Sequence, residues 1–183
     1  MDVLLSDVRA RVILANAASK PLTIRGGGTK SFYGNPPPKG ASVLDMSSYA
    51  GIISYEPTEL VVTARAGTRL ADLEAELASR HQMLAFEPPH FAAGATIGGC
   101  IAAALAGPRR ATAGGVRDYV LGVRMMDAQG RVLRFGGEVI KNVAGYDVSR
   151  LLTGSLGTLG ILLDVSLKVL PRPAVETTLC LPL

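Results

Sequence analysis

The sequence is poor in the residues that build metal centres. Its 183 residues include two cysteines, Cys100 and Cys180, and two histidines, His81 and His90. None of the four stands at a metal-ligand spacing from another, which argues against a zinc or copper centre. Such cysteine usage fits a reducing cytoplasm without requiring one. Charge is also scarce, at 19% of residues against 48% hydrophobic, which excludes a disordered chain and allows a sizeable core. The net charge of +4 is scattered over residues such as Arg9, Lys20, Arg65 and Arg69, and Arg109-Arg110 is the sole basic doublet. That pattern gives no nucleic-acid stripe and leaves only a modest pull on anions. Long apolar runs are missing too. Asp2, Asp7, Arg9 and Arg11 interrupt the N-terminal stretch, so it is no secretory signal. The longest uncharged run, Phe91–Pro108, is rich in Gly and Ala and shorter than the roughly 20 residues of a membrane span.

What the chain has in plenty is glycine, 21 residues, with 11 prolines and no repeat. That implies many tight turns and backbone lying close to something. The spacing predicts a helix over Ser6–Ser19, capped by Ser6, with Val8, Val12, Ala15 and Ala18 on one face. Leu22-Thr23-Ile24 reads as a short buried strand running into three glycines, and Val43–Met46 as a second strand. Ile52–Tyr55 and Leu60–Ala64 read as a hairpin. Thr68 is the expected cap of a helix that buries Leu70, Leu73 and Leu77. Met83–Phe86 reads as a strand, Tyr119–Met126 with Val132–Phe135 as a hairpin turning at Gly130, Asp147–Leu152 as a short helix, and Gly160–Leu170 as a long strand. The expected fold class is α+β with two lobes, a small βα lobe over about residues 1–82 and a larger, mostly antiparallel lobe over about 83–183.

Three glycine-rich segments carry the candidate chemistry. Arg25-Gly26-Gly27-Gly28-Thr29, followed by Lys30, is either an ordinary turn or a nest of unhindered N–H groups that wraps a diphosphate. It is not a Walker A loop, because Thr29 stands where Gly must precede Lys30. It is not a Rossmann loop either, because Ser31 stands where the third Gly is required. In the second segment, Thr96 is placed to cap a helix beginning at Ile97, whose first turn, Gly98-Gly99, would expose N–H groups to a flat ligand. The alternative is a tightly packed Ala/Gly helix. The third runs from Lys141 through Tyr146 and Asp147 to Gly154, Gly157 and Gly160, a loop presenting backbone; its polar side chains read equally as a structural hydrogen-bond group. His90, after Pro88-Pro89, is a further candidate whose role depends on geometry.

Leu22–Thr29, Thr96–Gly99, Val116–Gly122 and Gly154–Gly160 occur in the order found in the PCMH-type FAD-binding domain of the vanillyl-alcohol-oxidase family, and the chain resembles that family over nearly its whole length. The segment Val139–Leu151 is similar to that of the FAD-binding subunits of bacterial glycolate oxidases. The resemblance implies FAD held between two lobes. Arg25, Gly26, Gly27, Gly28, Thr29 and Lys30 would hold the pyrophosphate. Thr96, Ile97, Gly98, Gly99 and Ile101, with Gly115 and Val116, would lie along the pyrophosphate, ribityl chain and flavin. Gly157, Gly160 and Ile161 would line the adenine or ribityl side. Relatives that bind flavin covalently do so through a His at the position of Thr29, so non-covalent FAD is expected. Leu156 replaces a Glu common in relatives, which removes a carboxylate near the cofactor loop. Relatives also carry a cap domain after the FAD domain, so this chain is expected to be a fragment whose catalytic base lies elsewhere. The implied function is oxidation of glycolate or another 2-hydroxy acid, beside a larger flavoprotein subunit and an iron–sulfur subunit, without nucleic acid or membrane insertion. A lactate-type dehydrogenase, a cell-wall sugar reductase, or a non-catalytic subunit that relays electrons or serves assembly are the alternatives. In this chemistry the flavin performs the redox step and the protein positions and tunes it.

Overall fold

Residues 3–137 and 146–180 are described by a computed structural model. The chain order is α1 (Val3–Ala17), β1 (Leu22–Arg25), β2 (Ser42–Asp45), β3 (Ile52–Glu56), β4 (Val61–Arg65), α2 (Leu70–Ser79) and β5 (Gln82–Met83). Then come α3 (Ile97–Ala103), α4 (Arg110–Ala113), a 3-10 turn at Val116–Asp118, β6 (Val120–Met126), β7 (Val132–Gly136), α5 (Val148–Leu152), β8 (Ile161–Lys168) and β9 (Leu170–Pro171). The fold class is α+β, as expected. A five-stranded antiparallel sheet has the order β3-β4-β8-β6-β7, beside a parallel β1-β2 pair and a short β5-β9 pair.

The sheet takes β3 and β4 from before residue 82 and β6, β7 and β8 from after it. A lobe division near 82–83 therefore does not follow the sheet. The reason is β8: its seven buried residues, Ile161–Leu167, need a strand on each side, and β4 and β6 supply them from opposite halves of the chain. One core lies where α2 and α3 cover the sheet, with Leu70, Leu73, Leu77, Ile97 and Ile101 fully buried. Burial of each such side chain contributes about 1.5–3 kcal/mol. A second cluster joins Val8 and Val12 of α1 to Leu44 and Met46 of the β2 segment and to Ile161 and Leu163 of β8. Among the described residues no helix is long and apolar enough to cross a membrane.

Several local expectations are corrected. The first helix begins at Val3, so Ser6 is not its cap, and Ala18 lies beyond its end. Thr68 does not cap α2. Its hydroxyl accepts from Gly51 N at 2.9 Å and donates to Gly51 O at 3.1 Å, tying the start of α2 to the β3 entry, while Arg69 takes the cap position without a side-chain bond. The strand expected over Met83–Phe86 is Gln82–Met83, and the long strand expected over Gly160–Leu170 is two, β8 and β9. The hairpin at Gly130 forms as expected, with that residue at φ +73°.

Candidate functional site

The first two glycine segments meet. A Cβ built on Gly27 would stand 1.5 Å from Gly94 O, and one on Gly26 would stand 2.3 Å from Thr96 Oγ1. The tight packing of two loops of the protein requires these glycines. Gly27→Ala is therefore expected to cost about 1–3 kcal/mol of stability by overpacking, read from urea unfolding. An unchanged midpoint would show that the loops separate freely.

The loop itself stays open. Among the described residues, none accepts a hydrogen bond from the N–H of Gly27, Gly28, Thr29 or Lys30. Two cations flank these groups. The Arg25 guanidinium lies over Gly28, which is at φ +68°, with Nε 2.8 Å from where a Cβ would be. Lys30 Nζ sits 5.6 Å from the centroid of the Phe91 ring, and Phe91 meets Phe32 edge-on at 5.0 Å. Burial pulls the Lys30 ammonium below its ordinary pKa, with the Cys100 side a smaller opposing influence. Neither Arg25 nor Lys30 is ion-paired among the described residues. A nest of N–H groups between two unmatched cations fits a diphosphate.

The Thr96 segment behaves differently from expectation. Thr96 caps α3, its hydroxyl accepting from Gly99 N. However, the Ile97 N–H is taken by Thr68 O and the Gly98 N–H by Ala66 O, both at 2.8 Å. The first turn of α3 is docked on the β4–α2 corner, where Gly98 makes room for Ala66, and its N–H groups are not offered to a ligand. Thr96, Ile97, Gly98 and Ile101 are buried, and Gly99 alone of that set keeps partial exposure. These residues position the second loop under the first. Cys100 is buried beside them, and burial pushes its thiol up to about 12.

The third segment reaches the same neighbourhood. Gly154 N and Leu156 N donate to Ile101 O and Ala102 O of α3, and Gly157 lies against Ile24 of β1. Gly157, Gly160 and Ile161 line a cavity of about 230 Å³ with Leu22, Ile24 and Val12. Leu156, at the position of the lost carboxylate, is at φ +53° and half-exposed near Gly34. Gly115 donates its N–H to Asp118 Oδ2 at 2.8 Å, and Val116 is buried in the main core. Lys141 lies outside the described residues. Tyr146 is 96% exposed, and Asp147 caps α5 by accepting from Arg150 N at 3.1 Å. His90 Nε2 pairs with Glu74 Oε2 at 2.9 Å on a loop whose flanking residues Glu87 and Phe91 hold φ +49° and +59°.

One polar group escaped the sequence reading. Arg65, Asp164 and Arg124 form a cross-strand row on β4, β8 and β6. Arg124 Nε is 2.5 Å from Asp164 Oδ2, too poorly aimed for a hydrogen bond, while Arg124 Nη2 donates to Tyr49 Oη at 2.6 Å. Tyr49 in turn donates to Asp164 Oδ1 at 3.3 Å, under the Arg65 guanidinium. The signal was available: a charge inside each of two largely apolar strands, Asp164 in Ile161–Lys168 and Arg124 in Val120–Met126.

Known proteins are similar to this chain in sequence and in fold. Glycolate oxidase subunit GlcE of Escherichia coli is 54% identical over 159 residues, covering 87% of this chain and 45% of the relative. Glycolate oxidase subunit GlcD of Bacillus subtilis is 35% identical, covering 87% and 34%. D-lactate dehydrogenase of Archaeoglobus fulgidus is also 35% identical, covering 96% and 39%. The chain thus spans less than half the length of each of these relatives. A solved structure of alkyldihydroxyacetonephosphate synthase shares the fold, with a TM-score of 0.74 at 23% identity over 93% of this chain and 31% of that one. The family described as FAD binding domain matches residues 5–136, a span that takes in both the Arg25–Lys30 loop and the start of α3, and the chain belongs to that family.

Proposed function

We propose that this chain holds FAD without a covalent bond, its pyrophosphate on the Arg25–Lys30 loop, as part of an oxidoreductase acting on glycolate or another 2-hydroxy acid. The observation that carries the reading is the loop of open N–H groups between two cations that form no ion pair among the described residues. Bound FAD would supply a hydride acceptor. The chain's own work is to bind and orient. Gly27–Lys30 offer backbone donors, while the Arg25 and Lys30 side chains supply positive charge. On this reading Gly99 and Gly115 border the path, Val116 supports it from the core, and Gly157, Gly160 and Ile161 offer an apolar recess of about 230 Å³ for the adenine end. Thr96, Ile97, Gly98 and Ile101 support this site from beneath. Thr29 has a hydroxyl where covalent attachment needs an imidazole.

The names of two relatives, both subunits of glycolate oxidase, support the substrate class and a multi-subunit complex. On this reading a larger flavoprotein subunit and an iron–sulfur subunit are the partners, and any contact with a membrane surface is made through them. A subunit that carries FAD but only relays electrons is the second reading. Its support is that His90, the candidate singled out in the sequence, is paired with Glu74.

Titrating FAD into the purified chain tests the cofactor reading, with saturable quenching of flavin fluorescence as the expected result. No saturation at high-micromolar FAD would overturn it. Adding glycolate to the FAD-loaded full-length protein separates the two functional readings, because only the first expects bleaching of the bound flavin.

A further inference from the structure

A cavity of about 970 Å³, larger than the recess beside Ile161 and not lined by Arg25–Lys30, opens between α2, β5, the residues around Glu87 and the exposed 172–176 segment. Its charged lining is Glu74, Glu87, Arg109, Arg172 and Glu176. Glu74 is turned to His90. Glu87 is fixed: its two carboxylate oxygens accept from Arg109 Nε at 2.8 Å and from the Arg109 backbone N–H at 2.9 Å. That backbone bond, ahead of the guanidinium contact, holds the Glu87 carboxyl below its ordinary pKa. The outer face of the Arg109 guanidinium takes a second carboxylate, from Glu176.

Glu176 is held differently. It lies on an exposed stretch without regular structure, and its side chain is 59% exposed. An ion pair in such a setting contributes little. Arg172 is anchored at the rim by its backbone N–H, which donates to His81 O at 2.7 Å, but its guanidinium has no partner among the described residues. The cavity therefore presents two committed carboxylates, Glu74 and Glu87, one weakly held carboxylate, and one guanidinium without a partner among the described residues.

We infer that this cavity is a subsite for a small carboxylate anion, which displaces Glu176 from Arg109 and is paired by Arg172. Glu176 is the protein's own stand-in for that anion. Exchanging one carboxylate for another leaves the charge around Arg109 unchanged, so the exchange has no net cost in buried charge. Arg172 adds a charge-assisted bond that the stand-in lacks. The choice of a 2-hydroxy acid as the anion rests on the functional reading above; the subsite itself rests on the cavity.

The test is a titration of the chain with sodium glycolate against sodium chloride at matched ionic strength, following the arginine Nε–Hε resonances. The Arg109 and Arg172 signals should shift saturably with glycolate and not with chloride. Glu176→Gln should tighten binding about two- to fivefold, the worth of an exposed ion pair. Arg172→Gln should weaken it about tenfold, the worth of one charge-assisted bond. FAD affinity, measured on the same variants, should not change. Non-saturable shifts, or equal glycolate affinity in the parent and both variants, would overturn the subsite. Loss of FAD binding in Arg172→Gln would also overturn it, by assigning the cavity to the cofactor. If glycolate saturates Arg172 while the parent chain binds no FAD, the subsite stands and the flavin reading falls.

Discussion

Replacing Arg124 by Ala is expected to destabilise the chain by about 3 kcal/mol, at the low end for breaking a buried charge pair. The low end applies because Arg124 keeps 34% of its side chain exposed and Arg65 stays near the orphaned carboxylate. The loss comes from leaving Asp164, 7% exposed, in the sheet without the Arg124 guanidinium, the Tyr49 hydroxyl still donating to it. The double variant Arg124→Met/Asp164→Asn should cost less than Arg124→Ala alone, since it removes both charges together. Urea unfolding of the set forms the cycle, and a cost below about 1 kcal/mol for Arg124→Ala would refute a structural role for the pair.

The same network makes stability depend on pH in a definite direction. Burial raises the Asp164 pKa above its ordinary value, outweighing the opposing pull of Arg124. A carboxyl with a raised folded pKa stabilises most where it is protonated, below its unfolded pKa of about 3.9, and that contribution is lost as pH rises through the folded pKa. The stability of the parent relative to Asp164→Asn should therefore fall as pH rises from about 4 toward neutrality. Comparison with the Asn variant cancels the opposite influence of Asp45 and Glu87, whose pKa values are lowered. In Arg124→Ala the Asp164 pKa rises further, so the pH window extends upward. A gap that widens in the parent's favour with pH would contradict the assignment.

On the proposed reading, the largest effect on the cofactor comes from Arg25→Gln/Lys30→Gln. Each cation supplies a hydrogen bond to a charged group, worth about 1.5–3 kcal/mol, so each single change should weaken FAD about tenfold or more and the pair about a hundredfold. Both side chains lie at the open loop rather than in the core, so circular dichroism and the unfolding midpoint should hold. This separates the pair from Gly27→Ala, where lost FAD binding and lost stability arrive together through the contact with Gly94. A change in FAD affinity of less than about threefold in the double variant would remove the pyrophosphate from this loop.

Features resting on neighbours along the chain are legible in the residues themselves. The Leu70/Leu73/Leu77 stripe needs only helical spacing, the Thr96 cap needs only Gly99 three residues on, and the Gly130 turn needs only a positive φ between two strands. The α+β class and the motif order that marks the family are legible for the same reason. Features resting on partners distant along the chain are not. The Thr68 hydroxyl suits a cap, but Gly51 reaches it first. Gly98 reads as an open helix start, but the carbonyls of Thr68 and Ala66 fill it. A division of the chain near residue 82 suits the order of the segments, but β8 needs neighbours from both sides. The Arg25–Lys30 loop belongs to both kinds. Its glycines and cations are written in the sequence. That its glycines are spaced by contact with Gly94 and Thr96, while its own N–H groups stay open, was decided by the tertiary structure, because steric exclusion between loops depends on where the fold brings them and not on what either loop contains.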